Sequence, residues 1–207
     1  IPLRLVGSEM CIRDRKTYLG KKLILIRHAP VISDGLFYGS RDVACRRPTI
    51  QEIENIRNIL PNKLKLYVST ANRCLTTAKF LFPSIKPVQF DALREQHFGS
   101  WEGIAYDKIP NIGTLSSEEL ADFQPPNGES FNEMSLRVNL VLEEILNKIG
   151  SQDLGIIVAH AGTIRAVLSK LVGKSALSFQ VDNLSMSEFI FLNDGMVVNY
   201  FNRDGIH

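Results

Sequence analysis

Two kinds of apolar pattern alternate along the chain. Residues 23–26 (LILI) form a short unbroken apolar run that stops at Arg27, and residues 154–159 (LGIIVA) form another that stops at His160. Such runs suit strands buried on both faces, as in parallel sheets covered by helices. Residues 64–69 (LKLYVS) and 87–90 (PVQF) read as two more strands. Between the strands the apolar spacing changes to three and four. Residues 49–60 put Ile50, Ile53, Ile56 and Leu60 on one helical face, with Thr49 as N-cap and Glu52 three residues on, and Pro61 ends the helix. Residues 71–82 predict a helix stopped by Pro83. Residues 129–149 predict the longest one, with Phe131, Met134, Val138, Val141, Leu142 and Ile145 turned inward. Residues 163–172 predict another, reached from its strand through a sharp Ala161-Gly162 turn. Asn193-Asp194-Gly195, between 187–192 and 196–201, is a hairpin signal.

Strands alternating with helices predict an α/β fold: a three-layer α/β/α sandwich on a mostly parallel central sheet. The length of 207 residues suits one domain with one sizeable core. Residues 34–47 read as a polar, Gly-containing loop. Residues 91–126 break the pattern and are punctuated by Gly99, Gly103, Pro110, Gly113, Pro125 and Pro126. A connection of that length is uncommon unless it carries function. A cap-like insertion of short helices over a pocket is therefore expected at about 91–128. Residues 1–15 (IPLRLVGSEMCIRDR) show neither period, and no cationic start leads into a sustained apolar stretch, so they do not read as a signal peptide. The string EMCIRDR resembles translated sequencing-adaptor read-through. Residues 1–15 are read as a non-native extension ahead of a single domain over 16–207.

Composition narrows the function classes. Hydrophobic residues at 44% and charged residues at 22% are those of an ordinary globule, and no apolar run reaches the roughly 20 residues of a membrane-spanning helix. A dispersed net charge of +2 argues for neither nucleic acid nor a membrane surface as partner. Cys11, Cys45 and Cys74 are odd in number and lack metal-ligand spacing, which fits reduced thiols in a cytoplasmic protein. With His28, His97, His160 and His207 the only histidines, a multi-histidine metal site is not expected. No metal and no cofactor are expected.

The candidate chemistry sits at the strand ends, where ligands bind in such sheets. Arg27 and His28 follow LILI, His160 follows LGIIVA, Arg73 lies in the first turn after LKLYVS, and Glu95 lies in the loop after PVQF. A lone histidine beside a strand is usually structural. Two strands each ending in histidine, with arginines beside them, are more informative. Converging guanidinium and imidazole groups are costly without an anion between them, and guanidinium forks match phosphate oxygens. Helix N-termini after His160 and Ser69 add N–H groups aimed the same way. A neutral imidazole there can attack phosphorus, cations can stabilise the phosphoryl group in flight, and Glu95 can exchange a proton with the leaving oxygen.

Five segments resemble the histidine phosphatase superfamily, the phosphoglycerate-mutase-like fold. They are LILIRHAP (23–30), STANRCLTTA (69–78), LREQHFGSWEG (93–103), PNGES (126–130) and IIVAHAGTIR (156–165), in the family's order over about 22–201. The resemblance implies that His28 is phosphorylated, that Arg27, Arg73 and His160 bind the phosphoryl group with help from the backbone of Ala161 or Gly162, and that Glu95 donates the proton. Ala29 and Ala161 stand where glycine is commonest in the family, and fit unless φ is positive there. The mutase continuation after the first motif is missing, which favours a phosphatase. The loop FYGSRDVA (37–44) resembles that of the α-ribazole phosphatase branch and makes Arg41 a candidate substrate contact. The implied partner is a small phosphorylated metabolite, with α-ribazole 5′-phosphate favoured over a broad-specificity sugar-phosphate phosphatase or a phosphoglycerate mutase. A non-catalytic phosphate-binding regulatory module is the reading from another class. His97 reads as a solvated loop residue, Phe98 and Trp101 as packing of the Glu95 loop, and Cys74 as a small buried residue. The oligomeric state is not legible.

Overall fold

A computed structural model describes residues 20–32, 35–61, 63–150 and 153–205. Residues 1–15, Cys11 among them, and His207 lie outside the described residues. The elements run β1 (Lys21–Arg27), α1 (Ile50–Arg57), β2 (Lys65–Ser69), α2 (Asn72–Leu81), β3 (Val88–Phe90), α3 (Ser117–Asp122), α4 (Phe131–Lys148), β4 (Leu154–Ala159), α5 (Ala161–Val172), β5 (Met186–Phe191) and β6 (Met196–Arg203). Single 3₁₀ turns at Asp91–Leu93, Gly99–Trp101 and Tyr106–Lys108, with the short α3, fill the segment between β3 and α4.

The strands form one six-stranded sheet in the order β3-β2-β4-β1-β5-β6. β3, β2, β4 and β1 are mutually parallel, while β5 and β6 add an antiparallel hairpin beside β1. The unbroken LILI run is explained by the two cores. Leu23 and Leu25 face a layer built on α4 and α5, with Met134, Val138, Leu142 and Ile164. Ile24 and Ile26 face the layer of α1 and α2, with Ile56, Cys74, Ala78 and Leu81. Side chains alternate faces along a strand, so a strand buried on both sides must be apolar at every position. The chain is thus a three-layer α/β/α sandwich.

Three predicted helix boundaries shift by two residues or more: the first helix ends at Arg57 rather than 60, and the other two shifts have a visible reason. The long helix starts at Phe131 rather than 129, because Ser130 caps it in a box with Glu133. The helix predicted from 163 starts at Ala161, directly after β4, with His160 itself as N-cap. Ala161 and Gly162 are therefore the first helical turn and not a linker. The capping box of Thr49 with Glu52 forms as the sequence indicates.

Candidate active site

The parallel register sets Arg27 beside Ala159, and the His28 N–H donates to the Ala159 carbonyl at 2.9 Å. The carboxyl ends of β1 and β4 thereby bring His28 against His160, ring centroids 5.2 Å apart and edge to face. Ser69, at the end of β2, completes the floor. His28 is buried, and its Nδ1 lies 2.8 Å from the Ala29 carbonyl. A carbonyl only accepts, so Nδ1 carries the proton and Nε2 keeps its lone pair. Burial lowers the His28 pKa from 6.5 to about 3, Arg73 and Arg27 adding to the drop while the Ala29 bond opposes it. The imidazole is neutral with a nucleophilic nitrogen free.

His160 is fully buried and has both ring nitrogens engaged. Arg73 Nε donates to its Nδ1 at 3.2 Å, so the proton is on Nε2, which faces Ser69 Oγ at 2.9 Å. Burial first, then Arg73, holds its pKa well below the usual histidine value. Arg73, at the start of α2, is fully buried and bonds only neutral acceptors: His160, the Arg41 carbonyl at 2.9 Å and the Gly39 carbonyl at 2.7 Å. Arg27 donates Nη1 to the Val181 carbonyl at 2.6 Å, and its Nε is buried without a partner. Buried charge without a counter-charge is costly. The site as built has room for an anion and a need for one.

Glu95 follows the 3₁₀ turn after β3. Its Oε2 accepts from the Gly162 N–H at 3.2 Å and its Oε1 from the Gln96 N–H at 3.1 Å. A Cβ at position 162 would lie 2.1 Å from Glu95 Oε1, so glycine there admits the carboxylate to the helix terminus. Neither Ala29 nor Ala161 has positive φ, so both alanines fit where the family prefers glycine.

A solvent-open cavity of about 210 Å³ lies over His28. Arg27, Glu95, Gly162 and Arg165 supply its polar wall, and Tyr38, Phe98, Tyr106, Phe131 and Leu177 its apolar one, with Gln96 between them. His28, Arg27, Glu95, Arg73, His160, Ala161 and Gly162 are brought together. The Arg41 side chain is not brought with them. Its guanidinium sits over Gly103, while its backbone serves Arg73 and Glu102. His97 is exposed, Trp101 stacks on Phe123, and Cys74 is buried under His160. Sequence reasoning passed over Arg165 and Tyr38. Gly162 and Arg165 are three apart in a helix and so share a face, a signal that was available. Tyr38 stands in the FYGSRDVA loop whose resemblance was noted, but only Arg41 was taken from it as a substrate contact. Among the described residues no cluster of His, Cys, Asp and Glu could hold a metal ion.

The family profile "Histidine phosphatase superfamily (branch 1)" matches residues 23–204. No curated protein matches the chain significantly. Among solved structures, phosphoserine phosphatase from Entamoeba histolytica aligns with TM-score 0.74 and 22% identity, over 90% of this chain and 100% of that one. The α-ribazole phosphatase of Shigella flexneri gives 0.74 and 22%, over 90% and 98%. A Thermus thermophilus protein gives 0.61 and 27%, over 81% and 92%.

Proposed function

The chain belongs to the histidine phosphatase superfamily, branch 1, and is a phosphatase; on that premise we propose that it hydrolyses a small phosphomonoester through a phosphohistidine at His28. The observation that carries the reading is the neutral, buried His28, whose Nδ1 proton is committed to the Ala29 carbonyl. The phosphoryl group would lie over Nε2, against Arg27 and Arg73 and the first turn of α5. His160 would join it by exchanging its bond to Ser69 or Arg73 for one to a phosphoryl oxygen.

The Nε2 lone pair attacks phosphorus as the ester P–O bond breaks. Glu95 passes a proton to the leaving oxygen. Glu95, now a carboxylate, takes a proton from water, whose oxygen attacks phosphorus and breaks the N–P bond. Phosphate leaves and His28 is neutral again. Arg27 and Arg73 bear the charge that develops on the equatorial oxygens, so no metal is required.

For the substrate, aromatic walls at Tyr38, Phe98 and Tyr106 favour a flat heterocycle near the phosphate, as in α-ribazole 5′-phosphate, on which relatives of this fold act. Openness of the cavity and the guanidinium of Arg165 favour a second reading, a broader range of small acidic and sugar phosphates. Such an enzyme would work in the cytoplasm. A panel of α-ribazole 5′-phosphate, 3-phosphoglycerate, phosphoserine and common sugar phosphates, run in excess chelator, tests both. Turnover unaffected by chelator and highest on α-ribazole phosphate supports the first reading, and comparable turnover across the panel the second. Activity lost with chelator and restored by a metal would overturn the metal-free mechanism.

A further inference from the structure

Glu102 stands outside the cavity, yet its carboxylate is the most heavily bonded in the loops around it. Its Oε1 accepts from the N–H of Ser40 at 2.7 Å and of Phe98 at 2.9 Å, and its Oε2 accepts from the N–H of Arg41 at 2.7 Å. The Ser40 hydroxyl adds bonds to both oxygens. Gly39 lets the loops close to this distance, since a Cβ there would lie 2.2 Å from the Gln96 carbonyl oxygen and 2.8 Å from Glu102 Oε1.

What lies on the far side of those peptides gives the arrangement its meaning. The Gly39–Ser40 peptide gives its N–H to Glu102 and its carbonyl to Arg73 Nη2, at 2.7 Å each. The next peptide gives the Arg41 N–H to Glu102 and the Ser40 carbonyl to Arg94 Nη2 at 2.6 Å. The carbonyl after that, of Arg41, takes Arg73 Nη1 at 2.9 Å. A carboxylate bonded to the N–H of a peptide polarises its carbonyl and makes it a better acceptor. Negative charge is thus relayed through the backbone to the arginine that is buried without an ion pair of its own.

We infer that Glu102 is a positioning residue for phosphoryl transfer: through the Gly39–Ser40 peptide it orients the carbonyl that Arg73 Nη2 takes, by the Arg41 N–H it anchors the residue whose carbonyl takes Arg73 Nη1, and through Arg73 Nε it sets the ring of His160. The inference rests on the phosphatase reading for its kinetic consequence but not for its geometry. Without the carboxylate, the Gly39 and Arg41 carbonyls lose their orientation, and displacement of a charged group by about 1 Å costs on the order of 100-fold in rate.

The test is a double-mutant cycle of Glu102→Gln with Arg73→Lys, read as kcat/KM on p-nitrophenyl phosphate. Glu102→Gln alone is expected to lose about 10- to 100-fold, but under about threefold when Arg73→Lys is already present. Equal losses in both backgrounds, or no loss in either, would overturn the inference. Ring-nitrogen NMR of His160 gives the second readout, expected to shift in Glu102→Gln as the Arg73 Nε bond loosens. An unchanged His160 signal would overturn it too, and this holds even if the wild type hydrolyses no phosphoester. Should Glu102→Gln fail to fold, Glu102→Asp, which draws the carboxylate back from the Ser40 and Arg41 N–H groups, is put through the same cycle with the same criteria.

Discussion

A Cβ at position 162 would press on the end of the Glu95 side chain and on the Met134 methyl, both flexible groups. Gly162→Ala should therefore fold almost as well as the wild type while displacing the side chain of Glu95, the proposed proton donor. The expected outcome is a turnover lower by roughly 10- to 100-fold, within the usual range for general acid–base contributions, with a thermal midpoint changed by only a degree or two. Steady-state kinetics beside a melting curve checks it, and an unaffected turnover would remove Glu95 from this role. At this scale the strand-end residues were legible, because residue type and position past an apolar run mark them. Arg41 shows where that reading stops: its side chain turns to Gly103, and the loop contributes its backbone to Arg73 instead. Backbone groups leave no trace in residue type.

Among the elements, α4 does more for the site than its periodicity reveals. Arg137 projects from it and donates to the carbonyls of Ala92 and Arg94 at 2.8 Å each and of Glu95 at 3.1 Å, while its Nε meets Glu129 at 3.0 Å. Glu129 in turn accepts the His97 N–H at 2.9 Å. One guanidinium thus clamps the loop that presents Glu95. Arg137→Leu leaves those carbonyls without donors and should cut kcat about 10-fold or more. Hydrogen exchange should rise across residues 92–97 while β1 and β4 stay protected. Exchange unchanged in that loop would count against the clamp. The helix itself was legible from its apolar spacing, but its Ser130–Glu133 capping box was not read, and its start was placed two residues early. The clamp was not legible, since an arginine on the polar side of a helix reads as solvated charge. The same holds at α5: glycine in a first turn looks like a linker until the Glu95 carboxylate beside it is seen.

Across the whole molecule, burying two neutral imidazoles between the layers ties stability to pH. Burial holds His28 at about 3 and His160 well below the ordinary value, whereas unfolded both take a proton near 6.5. Between about pH 3 and 6.5 the unfolded chain binds more protons than the folded one. Stability is therefore complete above that window and falls as the pH drops through it, by up to about 1.4 kcal/mol per histidine per pH unit. The thermal midpoint should decline from pH 7 to pH 4, and His28→Gln should make the decline shallower. A midpoint independent of pH there would contradict the buried neutral assignment. The sandwich was legible as a whole because a strand apolar at every position can only be one covered on both faces. The strand order was not, since β4 enters between β1 and β2 through contacts far apart in the chain. That insertion places His160 beside His28, and the mechanism depends on the pairing. Its most direct test is to quench the protein after brief incubation with a ³²P-labelled phosphomonoester. Wild type should carry acid-labile, base-stable label on His28, and His28→Ala should carry none. Equal labelling of the two, or label on another residue, would contradict a phosphohistidine at His28.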